Sequence, residues 1–217
     1  MCPLPPADGY VFDFNGTLFW DEKQNREAWD HTAAALRGYP YSEKEFALLN
    51  GRTDRDTVLY FLPDADEETL DYWISFKENY YKELCLRDAL PLAPGAERLL
   101  GYLKDRNAPM TVATSAPDMN MDWYFPVLRL GRFFDREKMV VSPPGVPSKP
   151  DGAIFRLAMD NIGVSPERCC VFEDSLSGIK AADNAGARYI CRIKGQGQSI
   201  PGPERMIEIS SFDDLQL

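Results

Sequence analysis

The chain has 217 residues, 44% of them apolar, with four Trp, so it can bury a substantial core as one domain or one domain plus an insertion, and it is not disordered. Its formal charge of −10 disfavours a nucleic-acid partner, which needs clustered Lys and Arg, and no apolar run is long enough to span a membrane. The five Cys include the adjacent Cys169 and Cys170 but no Cys-x-x-Cys pair, and the N-terminus lacks a basic, then apolar, leader; both point to free thiols in a reducing cytoplasm.

In chain order, Tyr10-Val11-Phe12 and its flanks read as a buried strand over 9–14. Residues 21–37 read as a helix with Ala28, Trp29, Thr32, Ala33 and Leu36 on one face, followed by helical patterns at 42–49, 54–61 and 66–85. Asp66 is placed to cap the last of these. From Pro94-Gly95 the texture alternates: helix 95–106, strand 110–114, helix 118–129, strand 138–142, helix 151–162, strand 169–173, helix 175–185 stopped by Gly186, and strand 188–193. Alternation of this kind predicts an α/β fold, a Rossmann-like parallel sheet with helices on both faces, built from 1–17 and 93–217. The strandless stretch 18–92 predicts an inserted α-helical cap domain. The Gly/Pro-rich stretch 194–203 reads as a mobile loop.

In parallel sheets ligands gather outside the carboxyl ends of the strands. Four such ends carry polar residues here: Asp13, Thr114-Ser115, Ser148-Lys149-Pro150 and Glu173-Asp174-Ser175. Their order and spacing resemble the four motifs of the haloacid dehalogenase superfamily, and the helical insertion resembles the cap of its β-phosphoglucomutase/phosphoglycolate phosphatase branch. The resemblance implies that Asp13 attacks phosphorus, that Thr114 and the Ser115 amide hold phosphate oxygens, and that Lys149 neutralises nucleophile and phosphoryl group. It also implies that Glu173 and Asp174 hold Mg²⁺ beside Asp13, with the Asn15 main-chain carbonyl as a further ligand. A cation would also reconcile an acidic protein with an anionic substrate.

The family pattern has a second Asp, the general acid/base, where this chain has Asn15. The branch's cap His aligns with Asn25, and its phosphate-gripping Arg near Gly51 is not matched, Asp54 falling closest. These departures favour a phosphatase acting on a small phosphorylated metabolite, attenuated by Asn15, over a β-phosphoglucomutase-like mutase or a non-catalytic phosphate-metabolite binder. Arg52, Arg55, Lys23 and Arg26 are candidates to bind the distal part of a substrate, Arg52 first among them, and each reads equally as solvated helix surface. His31, the only histidine, has no nucleophile nearby in sequence, and Gly195-x-Gly197 completes no phosphate-binding fingerprint. Oligomeric state and substrate identity are not encoded in any of these motifs.

Overall fold

Gly9, Tyr10, Val11 and Phe12 are all buried, the pattern of a strand covered on both faces. This strand, β2 (Gly9–Phe12), lies inside a six-stranded sheet of order β4-β3-β2-β5-β6-β7 in a computed structural model that describes residues 2–49, 52–194 and 200–217. Its partners are β3 (Met110–Thr114), β4 (Val140–Val141), β5 (Cys169–Glu173), β6 (Tyr189–Ile193) and β7 (Met206–Ile209), and every pairing is parallel. Two short strands, β1 (Cys2–Pro3) and β8 (Leu215–Gln216), pair separately.

Alternation along β2 divides the core. Val11 packs with Ile154, Phe155 and Ile179 of α7 (Ala153–Asn161) and α8 (Leu176–Asn184). Tyr10 and Phe12 face the other way, toward α5 (Ala96–Asp105) and α6 (Asp118–Val127), and Phe12 stacks on Phe172 at 4.8 Å. Helices on both faces of a parallel sheet are the α/β architecture expected from the alternation. Cys85, Cys169, Cys170 and Cys191 are buried and all five thiols are free.

Between β2 and α5 the described chain carries four α-helices and no strand: α1 (Glu22–Arg37), α2 (Glu43–Leu49), α3 (Asp54–Phe61) and α4 (Glu67–Asp88). They share their own apolar cluster of Trp29, Ala33, Tyr41, Val58 and Leu70. The two passages linking them to the sheet lie together, since Ala93 N–H donates to Leu18 O at 2.8 Å and Phe19 bridges Leu92. Asp66 caps α4 as expected, its carboxylate accepting from Thr69 N–H at 2.9 Å.

Some boundaries differ from the sequence expectation. The strand read over 9–14 stops at Phe12, because Phe14 O accepts from both Thr17 N–H and Phe19 N–H in a turn that Gly16 enters at φ +79°. The strand read over 138–142 is confined to Val140–Val141 by a 3₁₀ turn over Arg136–Lys138. β1, β7 and β8 were not expected: each is four residues or shorter. His31 stacks between Phe76 and Tyr80, at 5.1 and 4.3 Å, as a packing residue of the helical insertion. Gly51 and residues 195–199 of the 194–203 loop, with Gly195 and Gly197, lie outside the described residues.

Candidate active site

Parallel register brings the acidic strand ends together. Phe12 is level with Phe172, so Asp13 follows β2 at the height of Glu173, and Asp13 N–H donates to Phe172 O at 2.9 Å. On the other side Phe12 is level with Val112, and β3 ends two residues later at Thr114. Asp13, Asn15, Thr114, Ser115, Glu173 and Asp174 line one cleft, with Arg52 from the helical insertion at its wall. The Thr114 hydroxyl accepts from Ala116 N–H at 3.1 Å, which leaves its own hydrogen for a ligand.

Lys149, 1% exposed, follows β4 and places Nζ 2.5 Å from Asp13 Oδ1 and 2.7 Å from Glu173 Oε1. Burial presses the Lys149 ammonium toward deprotonation, but the two carboxylates outweigh it and hold its pKa above the ordinary value. Asp13 behaves in the opposite sense. Burial raises its pKa to about 7, and Lys149 only partly offsets that rise.

Glu173 is saturated by local donors. Its second oxygen accepts from Asp174 N–H and Ser175 N–H, both at 2.7 Å, and from Ser175 Oγ at 3.0 Å. Its other oxygen meets Lys149 Nζ, so Glu173 also anchors that ammonium. Gly178 makes room for this carboxylate: a Cβ there would lie 1.6 Å from Glu173 Oε1. Gly→Ala within a helix ordinarily stabilises by about 1 kcal/mol. Gly178→Ala should instead lower the melting temperature and turnover together, because Glu173 must leave its donors; a stabilised, fully active variant in thermal denaturation would contradict this placement.

Asp174 accepts from Thr17 Oγ1 at 3.2 Å and faces Gly16, where a Cβ would sit 2.4 Å from Asp174 Oδ2. One carboxylate oxygen each from Asp13, Glu173 and Asp174 falls within 4.8 Å of the others. An all-oxygen, anionic donor set at this spacing fits a hard cation such as Mg²⁺. Burial, then Glu173 and Asp13, push the Asp174 pKa well above the carboxylate range.

Asn15 occupies a network that sequence reasoning missed. Its Nδ2 lies 2.7 Å from Asp21 Oδ2, 3.1 Å from the Tyr81 hydroxyl and 3.0 Å from that of Tyr124. Tyr124 donates to Tyr81 at 2.7 Å, Tyr81 donates to Asp21, and Gly16 N–H donates to Asp21 Oδ1 at 3.1 Å. Asn15 Oδ1 is buried without a partner among the described residues, so the amide presents its acceptor alone. An amide in that position neither gives nor takes a proton. Asp21 opens the expected 21–37 helix in sequence and reads there as an ordinary first-turn acid; only the tertiary fold reveals it as 2% exposed behind Asn15.

Across the cleft, Lys77 and Glu78 of α4 are both buried, with Lys77 Nζ 2.5 Å from Glu78 and 3.5 Å from Asp54 Oδ1. Asn120 of α6 donates to Glu78 and so ties the insertion to the sheet side. Adjacent charges in a helix suggest solvent exposure, and nothing in the sequence marks this pair as interior. Arg26 is engaged by Asp30 and Glu43, and Arg55 by Glu67, so these two cations serve the insertion's surface; Lys23 is exposed on α1.

Comparison with known proteins gives a consistent picture. A profile described as haloacid dehalogenase-like hydrolase matches residues 7–186. A phosphorylated carbohydrates phosphatase of Thermotoga maritima is 29% identical over 203 residues, covering 93% of this chain and 90% of that protein. The β-phosphoglucomutase of Bacillus subtilis is 26% identical, covering 95% and 92%. The crystal structure of a HAD hydrolase, family IA, variant 3, from Entamoeba histolytica superposes with a TM-score of 0.85 at 32% identity, covering 96% of this chain and 95% of that one.

Proposed function

Because this chain belongs to the haloacid dehalogenase-like hydrolase family, we propose that it is a Mg²⁺-dependent phosphatase of a small phosphorylated metabolite, working through a phosphorylated Asp13. The observation that carries this reading is the buried Lys149 bridging Asp13 and Glu173 beside Asp174. Helices α1–α4 act as a cap that excludes water over the cleft. Asp13 Oδ2, the oxygen not held by Lys149, attacks phosphorus as the leaving oxygen departs. Thr114 Oγ1 and the Ser115 amide hold nonbridging oxygens, and Lys149 balances the charge that builds on them. Asp13, Asp174 and the Asn15 carbonyl are the residues that would hold Mg²⁺, while Glu173 keeps Lys149 in position. When bound, Mg²⁺ supplies the positive charge that lets two carboxylates and a phosphate share one site.

Asn15 is the weak point of the chemistry: the leaving alkoxide must take its proton from solvent, and the water that cleaves phospho-Asp13 must lose one to solvent, because the amide takes part in neither transfer. The same deficiency disfavours a mutase, which must exchange protons with sugar hydroxyls in both half-reactions. The five free thiols suit a reducing compartment, where we place the protein. Among the described residues no helix is long and apolar enough to cross a membrane.

A panel of phosphate esters assayed with Mg²⁺ for release of inorganic phosphate tests the reading. Sugar-phosphate isomerisation without phosphate release would point to a mutase, and saturable binding without turnover to a binder. Acidity supplies a second test. With an Asp13 pKa of about 7, protons compete with metal below neutrality. The apparent Mg²⁺ dissociation constant should therefore weaken by up to about tenfold from pH 7 to pH 6 and level off above pH 8. The folded pKa lies above its unfolded value, so the metal-free protein loses stability as pH rises from about 4 to 7, and added Mg²⁺ should raise the melting temperature most at the alkaline end. A Mg²⁺ shift independent of pH would remove Asp13 from the ligand set.

A further inference from the structure

The Asn15 amide nitrogen is committed to the interior. It donates to Asp21 Oδ2 at 2.7 Å and to the Tyr124 hydroxyl at 3.0 Å, Tyr124 donates to Tyr81, and Tyr81 donates to Asp21. Hydrogens therefore run one way around this ring and end on the Asp21 carboxylate, which also accepts from Gly16 N–H. Turning the amide over would set Asn15 Oδ1 against Asp21 Oδ2, two acceptors at hydrogen-bond distance, so the ring fixes which way the amide faces. Asp21, Tyr81 and Tyr124 are at most 2% exposed, whereas Asn15 is partly exposed and lines the cleft with Asp13. Its Oδ1, without a partner among the described residues, is the side-chain atom left to meet an incoming group.

We propose that the substrate of this cleft is a phosphoramidate whose leaving nitrogen carries hydrogen, that is, a phosphorylated amine, and that Asn15 Oδ1 accepts from that N–H. The inference rests on the phosphatase reading for Asp13, Mg²⁺ and the phosphate contacts, and changes only the leaving atom, nitrogen in place of ester oxygen.

The leaving atom separates the two classes. An ester oxygen carries lone pairs only, which would face those of Oδ1, and negative charge builds on it as its bond to phosphorus breaks. An amide oxygen is the wrong neighbour for that charge in alkyl, aryl and acyl phosphates alike. The nitrogen of an alkyl phosphoramidate is basic, takes a proton from water near neutral pH, and then offers hydrogens alone. Donation from that cationic nitrogen to Oδ1 is a charge-assisted hydrogen bond. Asp13 Oδ2 forms its bond to phosphorus as the P–N bond breaks, the bonding electrons stay on nitrogen, and a neutral amine departs with the hydrogens it brought. Water then cleaves phospho-Asp13 and loses its proton to solvent. The proton that an ester needs during cleavage is thus already in place on the amine before cleavage begins, and no acid is required at position 15.

The experiment measures kcat/KM for phosphate release from N-butylphosphoramidate and from butyl phosphate, a pair that differs at the leaving atom, with Mg²⁺ at pH 8 and spontaneous release subtracted. Wild type should prefer the phosphoramidate by at least about 10²-fold, the low end of what a missing acid costs an ester. Asn15→Leu keeps the shape of the side chain and removes the acceptor, and the preference should fall by roughly tenfold, the loss of one hydrogen bond to a charged group. Asn15→Asp should narrow the preference by at least about tenfold, because the ester alone gains from an acid. Equal or higher kcat/KM for butyl phosphate in wild type overturns the proposal and leaves the phosphatase reading standing, and so does an unchanged preference in folded Asn15→Leu. If Asn15→Leu does not fold, Asn15→Asp decides: an equal gain on both substrates would show that the leaving nitrogen also needs a protein acid, and overturns the proposal. Absence of phosphate release from either substrate and from p-nitrophenyl phosphate would remove the phosphatase reading, and the proposal with it.

Discussion

Lys149→Met should reduce phosphate release by at least about 10²–10³-fold, the loss typical of removing one preorganised charge from a developing oxyanion. Methionine keeps the unbranched stem, one atom shorter, and removes the charge. Asp13 Oδ1 and Glu173 Oε1, held 2.5 and 2.7 Å from one ammonium, would then face one another across an apolar gap. Breaking a buried ion pair from one side costs about 3–5 kcal/mol, so the variant should also be less stable in urea. The sign of its pH dependence follows from the carboxylates left behind. Without Lys149 the folded pKa of Asp13 rises further above its unfolded value, and the folded state holds a proton that the unfolded state lacks. Destabilisation should therefore be larger at pH 8 than at pH 5. A variant with wild-type urea midpoints at both pH values, or with turnover within about tenfold of wild type, would show that Lys149 does not carry the charge balance of the site.

Asn15→Asp should raise turnover of alkyl phosphates by at least about tenfold, a cautious fraction of the 10²–10⁴ attributed to general acid/base catalysis. The fold adds a reason beyond the motif. The new carboxylate would stand where the amide donates to Asp21 Oδ2 at 2.7 Å, and two carboxylates that close do not both ionise. The pair would keep one proton at neutral pH, held beside the leaving oxygen. p-Nitrophenyl and acyl phosphates need no proton on departure, so their first step should gain less. In wild type the second step should be slow, so that phospho-Asp13 accumulates to a level visible by mass spectrometry after acid quench. Rapid wild-type hydrolysis of alkyl phosphates with no gain from Asn15→Asp would assign the proton to another group; Asp21, in contact with Asn15 and Tyr81, is then the residue to replace next.

What could be read from the sequence is what depends on short-range pattern. Asp13, Thr114 and Glu173-Asp174 each end a run of buried β-forming residues, and parallel pairing then forces such ends to one edge of the sheet. Residues brought in by long-range packing could not be read. Asp21, Tyr81 and Tyr124 meet at Asn15 from separations of 6, 66 and 109 residues, and a tyrosine on an amphipathic helix looks like core wherever its hydroxyl ends up. Lys77-Glu78 shows the same limit from the other side, since charge in sequence suggests solvent and only the cleft makes the pair interior.

The contacts between α4 and α6 also join the helical insertion to the sheet side by two different means. Tyr124 donates to Tyr81 at 2.7 Å and Asn120 donates to Glu78, so the polar part of the join is two hydrogen bonds. Tyr81, Leu84 and Cys85 share one buried cluster with Phe14, Met121 and Tyr124, so parting the two helices would also expose apolar core. The insertion is therefore held where it covers the acids by the same packing that stabilises the sheet, and a change that weakens one weakens the other.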